Sequence, residues 1–213
     1  MYRLYAFFTQ NSLKALYTLE EVGAEYEFRY VDLMKGENRS EAFRAMTPVG
    51  KVPVLEHGGR YLFESGAICR YVANNEQSEL YPQDAYERAQ VDQWMDYFTC
   101  HAGRWLTSLY FQNIIKPKAG LGDPDPAAIE EATIFSHQSM KVLERWLSSH
   151  EWLANNRFSI AEPFALAYME QVRMVNFSLH DYPGVAEWFD RLDSRETAAR
   201  ARAHVAPKAA AIV

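Results

Sequence analysis

The stretch "FFTQNSLK", Phe7 to Lys14, sets three small polar side chains, Thr9, Asn11 and Ser12, directly after an apolar aromatic run. The run itself, "RLYAFF" at 3–8, reads as a buried strand. Asn11 or Ser12 can cap the helix that follows, which carries Leu13, Leu16 and Tyr17 on one face and stops at Gly23. Hydroxyls and an amide at the positive end of a helix are groups that turn a thiol into a thiolate. A cysteine thiol has a pKa of about 8.5, and lowering it by ~2 units takes about 2.7 kcal/mol. One hydrogen bond to an anion supplies roughly 1.5–3 kcal/mol, and a helix N-terminus adds ~0.3–1. The plainer reading is that these residues only cap the helix. No C-x-x-C occupies the turn, which disfavours a dithiol redox enzyme.

Two further features suit a ligand. Val52-Pro53 lies in "VPVLE", a strand-like run in which proline has no N–H for the ladder. A cis bond there leaves the backbone of Val52 free to pair with a peptide-like ligand as an added strand. An edge-strand proline without function is the alternative. Glu64-Ser65 stands at a helix mouth, where a hydroxyl and free N–H groups favour a carboxylate. A simple cap is the competing reading. Both features lie across one hairpin and are expected on the same edge of the sheet.

The elements that would hold these residues follow an order of β-α-β-α-β-β-α. "YEFRYVDL" alternates as a strand, and a strand–helix–strand unit of this length is parallel and right-handed. A short helix covers Ser40 to Met46. "VPVLE" and "YLF" flank His57-Gly58-Gly59-Arg60, a hairpin signal, and Ser65 opens the next helix. This predicts an α/β domain with a mixed four-stranded sheet over 1–77, a linker at 78–85 containing Pro82, and an all-helical domain over 86–213. In the second part, 86–115 carries the apolar stripe Val91, Trp94, Met95, Phe98, Trp105 and Leu109. Asp125-Pro126 reads as a cap followed by proline at the first helical position, and "SIAE" at 159–162 has capping-box spacing. Pro183 starts the last substantial helix, and the tail "APKAAAIV" reads as loose.

The 213 residues, 48% hydrophobic, suffice for a full core. The net charge of −6 implies no face for nucleic acid. No apolar run approaches the ~20 residues of a membrane span, and the start is not read as a signal peptide. Cys69 and Cys100 make no disulfide framework, and the six histidines show no metal-ligand spacing. The default compartment is the cytoplasm.

Taken together, "GENRSEAF", "TPVGKVPVLE", "LFESGAICRYV" and "SIAE" resemble the cytosolic glutathione S-transferase family across nearly the whole chain. The resemblance implies a thioredoxin-like N-terminal domain, a helical C-terminal domain, and glutathione as co-substrate with no cofactor or metal. Pro53 would be the cis proline and Val52 would pair with the cysteinyl backbone of glutathione. Glu64 and Ser65 would bind its γ-glutamyl end, and Asn38, Arg39 and Lys51 would stand near its glycyl carboxylate. Ser159 and Glu162 would form a structural N-cap, where relatives usually carry Asp in place of the glutamate.

"TQN" resembles the T-x-N pattern of the bacterial nu-type members, which makes Thr9 the donor to sulfur with Asn11 assisting. Tyr5 stands in the register of tyrosine-type members, and Ser12 is a third candidate. The function implied is transfer of glutathione, as thiolate, to hydrophobic electrophiles. Glutathione-dependent disulfide reduction or peroxidase chemistry, and non-catalytic ligand binding, are the alternatives. Trp94, Phe98, Trp105 and Phe111 are candidates for the second substrate, with core packing as the plainer role of each. Cys100-His101 is a weak candidate nucleophile, because neighbouring helical positions point in different directions. A homodimer is the implied assembly.

Overall fold

The computed structural model describes residues 1–209 and forms two compact units. The first contains Met1–Pro82 together with the segment from Ser194. Its sheet has the order β2-β1-β3-β4, with β1 Tyr2–Ala6, β2 Tyr26–Tyr30, β3 Val54–His57 and β4 Arg60–Phe63. β1 runs parallel to β2 and antiparallel to β3, and β3 and β4 form the antiparallel hairpin. Gly58 and Gly59 both take positive φ, as a tight two-residue hairpin turn requires. The sheet is thus mixed and four-stranded, as the pattern predicts.

Helix α1 (Gln10–Val22) connects the parallel pair, α2 (Glu41–Met46) precedes β3, and α3 (Ser65–Asn75) follows β4. α1 and α3 pack together, and Leu13, Leu16, Leu19, Ile68 and Val72 of these helices are buried. β3 begins at Val54, so Pro53 stands ahead of the strand and costs it no ladder bond. That corrects the reading of "VPVLE" as strand throughout.

The far end of the chain departs from expectation. α9 (Pro183–Asp193) is followed by another helix, α10 (Glu196–Ala209), which groups with the sheet unit rather than with the helical one. α10 packs on α1, and the side chains it buries among the described ones are small, Ala198, Ala201 and Val205. Charge holds it. Arg195 donates to both carboxylate oxygens of Glu21 at 2.6 and 2.8 Å, Thr197 donates to Glu21 as well, and Arg200 meets Glu20 at 2.7 Å. A helix anchored this way carries no large apolar stripe, and its sequence reads as non-core. The first residues of the tail expected to be loose are therefore helical, and 210–213 lie outside the described residues.

The second unit, Gln83–Asp193, is all helical. From Ala85 to Lys118 the chain is continuously helical, as α4 (Ala85–Tyr97), α5 (Gly103–Tyr110) and α6 (Lys116–Lys118) joined by π turns at Phe98–Ala102 and Phe111–Ile115. Gly103 opens α5 where a Cβ would stand 2.4 Å from the Tyr168 ring, so close approach of α5 to the helix carrying Tyr168 needs glycine there. α7 (Pro126–Leu147) starts as the sequence suggests, with Asp125 accepting from Ala127 N–H at 3.0 Å. α8 (Ala161–Met174) is the central, most buried helix. Among the described residues no helix is long and apolar enough to cross a membrane.

Candidate active site

The register fixes where the sequence motifs meet. Tyr5 of β1 faces Val54 of β3, and Val54 faces Phe63 of β4. The C-terminal end of β1, the N-terminal end of β3 and the C-terminal end of β4 therefore share one end of the sheet. Thr9 follows β1 there, Val52-Pro53 precedes β3, and Glu64-Ser65 follow β4. Ligands of open α/β sheets bind outside the carboxyl ends of the parallel strands, which is this end.

Thr9 is the N-cap of α1, with extended backbone. Its Oγ1 accepts from Ser12 N–H at 3.2 Å and lies 3.1 Å from Ser12 Oγ. Ser12 is fully buried and also accepts from Phe7 N–H at 3.3 Å. Asn11 is exposed on the first turn, which contains no acidic residue. An anion near Thr9 and Asn11 thus meets a hydroxyl, an amide and the positive end of a helix.

Tyr5 is committed elsewhere. Its hydroxyl donates to Glu56 Oε2 at 3.0 Å, and Arg3 donates to Glu56 Oε1 at 2.8 Å. Burial, then this carboxylate, raises the phenol above its ordinary pKa. A phenol held by a carboxylate in this way is a poor donor to sulfur.

The Val52–Pro53 peptide is cis. The Val52 side chain is buried in a cluster with Phe7, Val31, Phe43 and Val54. Among the described residues no hydrogen bond engages its N–H or C=O. Its backbone is the part open to a ligand.

α3 begins differently from its neighbours. Thr9, Ser40, Asp84 and Asp125 each cap a helix with a side-chain oxygen, but Glu64 makes no such bond. Glu64 instead holds φ at +68°, where a residue with a Cβ is strained by ~1–3 kcal/mol. Ser65 is buried at the first helical position. The first N–H groups of α3 are left for an outside acceptor, and a carboxylate is the matching one.

Asn38 donates to the carbonyl of Gly50 at 2.8 Å and so pins the loop before Lys51. Arg39 and Lys51 are exposed, and neither sits in a salt bridge among the described residues. Also among the described residues, no group of three or more His, Cys, Asp or Glu is arranged to hold a metal ion.

Residues 1–74 match the glutathione S-transferase N-terminal domain, and residues 109–196 match the glutathione S-transferase C-terminal domain. The chain belongs to the glutathione S-transferase family. It is 34% identical over 198 residues to glutathione S-transferase F10 of Arabidopsis thaliana, spanning 90% of this chain and 92% of that one. Its fold matches glutathione S-transferase I from maize, solved with an atrazine glutathione conjugate, at a TM-score of 0.89 and 28% identity. That match covers 97% of this chain and 99% of the other. A possible glutathione S-transferase from Rhodopseudomonas palustris matches with a TM-score of 0.81 and 30% identity, over 92% and 88% of the two chains. Plant and bacterial transferases both match, so the narrower bacterial nu- or theta-like subtype is not singled out.

In the helical unit of this glutathione S-transferase, Glu162 is fully buried. Its carboxylate accepts from Ser159 N–H at 2.8 Å, Ser159 Oγ at 2.7 Å and Leu153 N–H at 2.7 Å. Ser159 Oγ accepts from Ala161 N–H at 3.2 Å. The box serves folding. Of the aromatic candidates, Trp94 and Phe98 are buried, and Phe98 lies against Tyr168 and Trp188. Trp105 stacks on Phe135 at 4.6 Å, and Phe111 is exposed. Cys100 and His101 are both exposed in the first π turn. Sequence reasoning passed over Lys14, a buried lysine in α1. Its spacing from Asn11 and Thr18 on one helical face was the available signal.

Proposed function

We propose that this glutathione transferase binds reduced glutathione at the shared end of the sheet and ionises its thiol at Thr9 and Asn11. The observation that carries the reading is the register, which brings Thr9, Val52 and Ser65 to one end of three adjacent strands. Val52 pairs its free N–H and C=O with the cysteinyl backbone, as an added strand does. Ser65 and the uncapped N-terminus of α3 take the γ-glutamyl carboxylate, with Glu64 facing the γ-glutamyl ammonium. Arg39 and Lys51 attract the glycyl carboxylate, and Asn38 steadies their loop.

Thr9 acts as the donor to sulfur. The 3.1 Å contact with Ser12 works in either direction, because hydroxyls rotate. Ser12 can donate to Thr9 Oγ1 while the Thr9 hydroxyl donates its own hydrogen bond to the thiolate. The proton lost by the thiol leaves to solvent. The thiolate then attacks the electrophilic carbon of a hydrophobic second substrate; a C–S bond forms and the leaving group departs with its electron pair, or the π pair of an activated double bond moves onto its electron-withdrawing group and the adduct takes a proton from solvent. The protein contributes ionisation and proximity. Of the aromatic candidates for that substrate, Trp94 and Phe98 are core.

Disulfide reduction by glutathione is the second reading, and it uses the same thiolate. Cys69 is buried with its thiol pushed up to about 11, so any such reaction runs through glutathione rather than through a protein thiol at this site. Glutathione serves as co-substrate, without a further cofactor. A cytoplasmic homodimer fits the reading, since reduced glutathione and free thiols coexist there. Exposed Tyr61 and Tyr71 are apolar surface that a second copy can cover.

The test is turnover of a panel of aromatic electrophiles and low-molecular-weight disulfides by wild type, Tyr5→Phe, Thr9→Ala and Asn11→Ala. Loss in the two α1 variants with retention in Tyr5→Phe supports the assignment. Full activity in both α1 variants removes it, and saturable glutathione binding without any turnover in the wild type leaves a binding protein.

A further inference from the structure

The polar groups at the head of α1 rest on a buried lysine. Lys14 is 1% exposed, yet its Nζ donates to Asn11 Oδ1 at 2.8 Å. An ammonium offers donors only, so the Asn11 amide must turn its oxygen toward Lys14. Its Nδ2 is then left as the outward group, on the first turn of the helix where Thr9 is the cap. The main chain around Lys14 is equally fixed: its carbonyl accepts from Thr18 Oγ1 at 2.9 Å and from Cys69 Sγ at 3.4 Å.

We propose that Lys14 is a positioning residue for the thiol, one that orients the Asn11 amide toward sulfur and couples its own charge to thiolate formation. The inference rests on the glutathione site proposed above. Lys14 itself stays out of contact with the substrate and acts through Asn11 and through its field. A positive charge at Lys14 favours the thiolate over the neutral thiol.

Charged and titratable groups face Lys14 and its helix from two sides. Cys69 of α3, when ionised, and the Glu64 carboxylate just before that helix favour its charged form, while Arg70 acts on Cys69. Arg195, just before α10, and Arg200 and Arg202 within it face Glu21, Glu20 and Tyr17 of α1. Burial is the larger influence and pushes the Lys14 ammonium down to about 7. At that position a nearby anion decides whether the lysine is charged. Coupling of this kind is reciprocal: if Lys14 lowers the thiol pKa, thiolate formation raises that of Lys14 by the same amount.

The first arm uses wild-type protein with 13C-labelled lysine, titrated by NMR alone, with reduced glutathione, and with S-methylglutathione. The Lys14 signal is expected to titrate about one unit higher with reduced glutathione than with S-methylglutathione, which has no thiol to ionise. The second arm compares Lys14→Met and Lys14→Arg. The methionine variant should raise the bound thiol pKa by about one unit and lower kcat/KM below neutral pH roughly tenfold, with KM for glutathione little changed. The arginine variant, which keeps charge and donors, should restore the profile. Identical Lys14 titration in both complexes, or an unmoved thiol pKa in Lys14→Met, overturns the inference. If the variants fail to fold, the wild-type arm decides. A lowered thiol pKa in wild type that Lys14→Met leaves untouched defeats this inference alone. A wild-type thiol with an ordinary pKa defeats it together with the proposed site.

Discussion

The hydroxyls of Thr9 and Ser12 lie 3.1 Å apart, and Ser12 Oγ also holds the N–H of Phe7 at the end of β1. One buried oxygen therefore joins the strand end, the helix cap and the proposed thiol donor. Ser12→Ala leaves the buried Phe7 N–H without a partner and should cost about 2 kcal/mol of stability by chemical denaturation. It should also reduce kcat/KM several-fold, by less than Thr9→Ala does, because Thr9 keeps its own proton for sulfur.

Ser65 tests the carboxylate end of the site. Ser65→Ala is expected to raise KM for glutathione roughly tenfold while kcat changes little, since the γ-glutamyl contact is made equally in ground and transition states. Steady-state kinetics at varied glutathione measure this. A fall in kcat at constant KM would place Ser65 in the chemistry instead.

Burial of Lys14 makes stability depend on pH in a defined sense. The folded pKa lies near 7, against 10.5 for an ordinary lysine. Between these values the unfolded chain binds more protons than the folded one, so unfolding free energy rises with pH across this window. The cost of burying the charge is fully present below pH 7. Lys14→Met removes it. The variant should be more stable than wild type at pH 6, and the gap should narrow toward pH 10, as read by urea denaturation at the two pH values.

Glu162 organises the start of α8. Glu162→Ala leaves the N–H groups of Leu153 and Ser159 buried and unpaired, and is expected to cost at least about 3 kcal/mol. Glu162→Asp keeps a carboxylate and should recover most of that loss. Thermal unfolding of the pair, with glutathione affinity of the folded fraction as control, separates a folding role from a binding one.

Much of this molecule is legible in its sequence, for physical reasons that also explain the rest. Alternation in "YEFRY", the glycine pair between β3 and β4, and the serine and aspartate caps report local rules, and they lead to the sheet and to most helices. Thr9, Asn11, Val52 and Ser65 could be named because cap residues and a proline beside a strand have few backbone roles. α10 escaped because it is fastened by Arg195 and Arg200 to the acids of α1, with only small residues buried. The π turns around Cys100 and Gln112 leave no mark in hydrophobic spacing. Lys14 was missed because a lysine on a helix is ordinarily solvated, and only the packing of α1 against α3 shows it to be enclosed. The position of Glu56 across the sheet, which holds the Tyr5 hydroxyl, adds a physical reason to prefer Thr9 that the sequence does not contain.

The most direct measurement is the pKa of the glutathione thiol bound to wild type and to Thr9→Ala, followed by thiolate absorbance in the far ultraviolet across pH. The expected result is a thiol lowered by roughly two units below its usual value of about 8.5 in the wild type, and returned most of the way in Thr9→Ala. Saturable binding with an unshifted thiol, or a lowered thiol that survives Thr9→Ala intact, would contradict activation of glutathione at the head of α1.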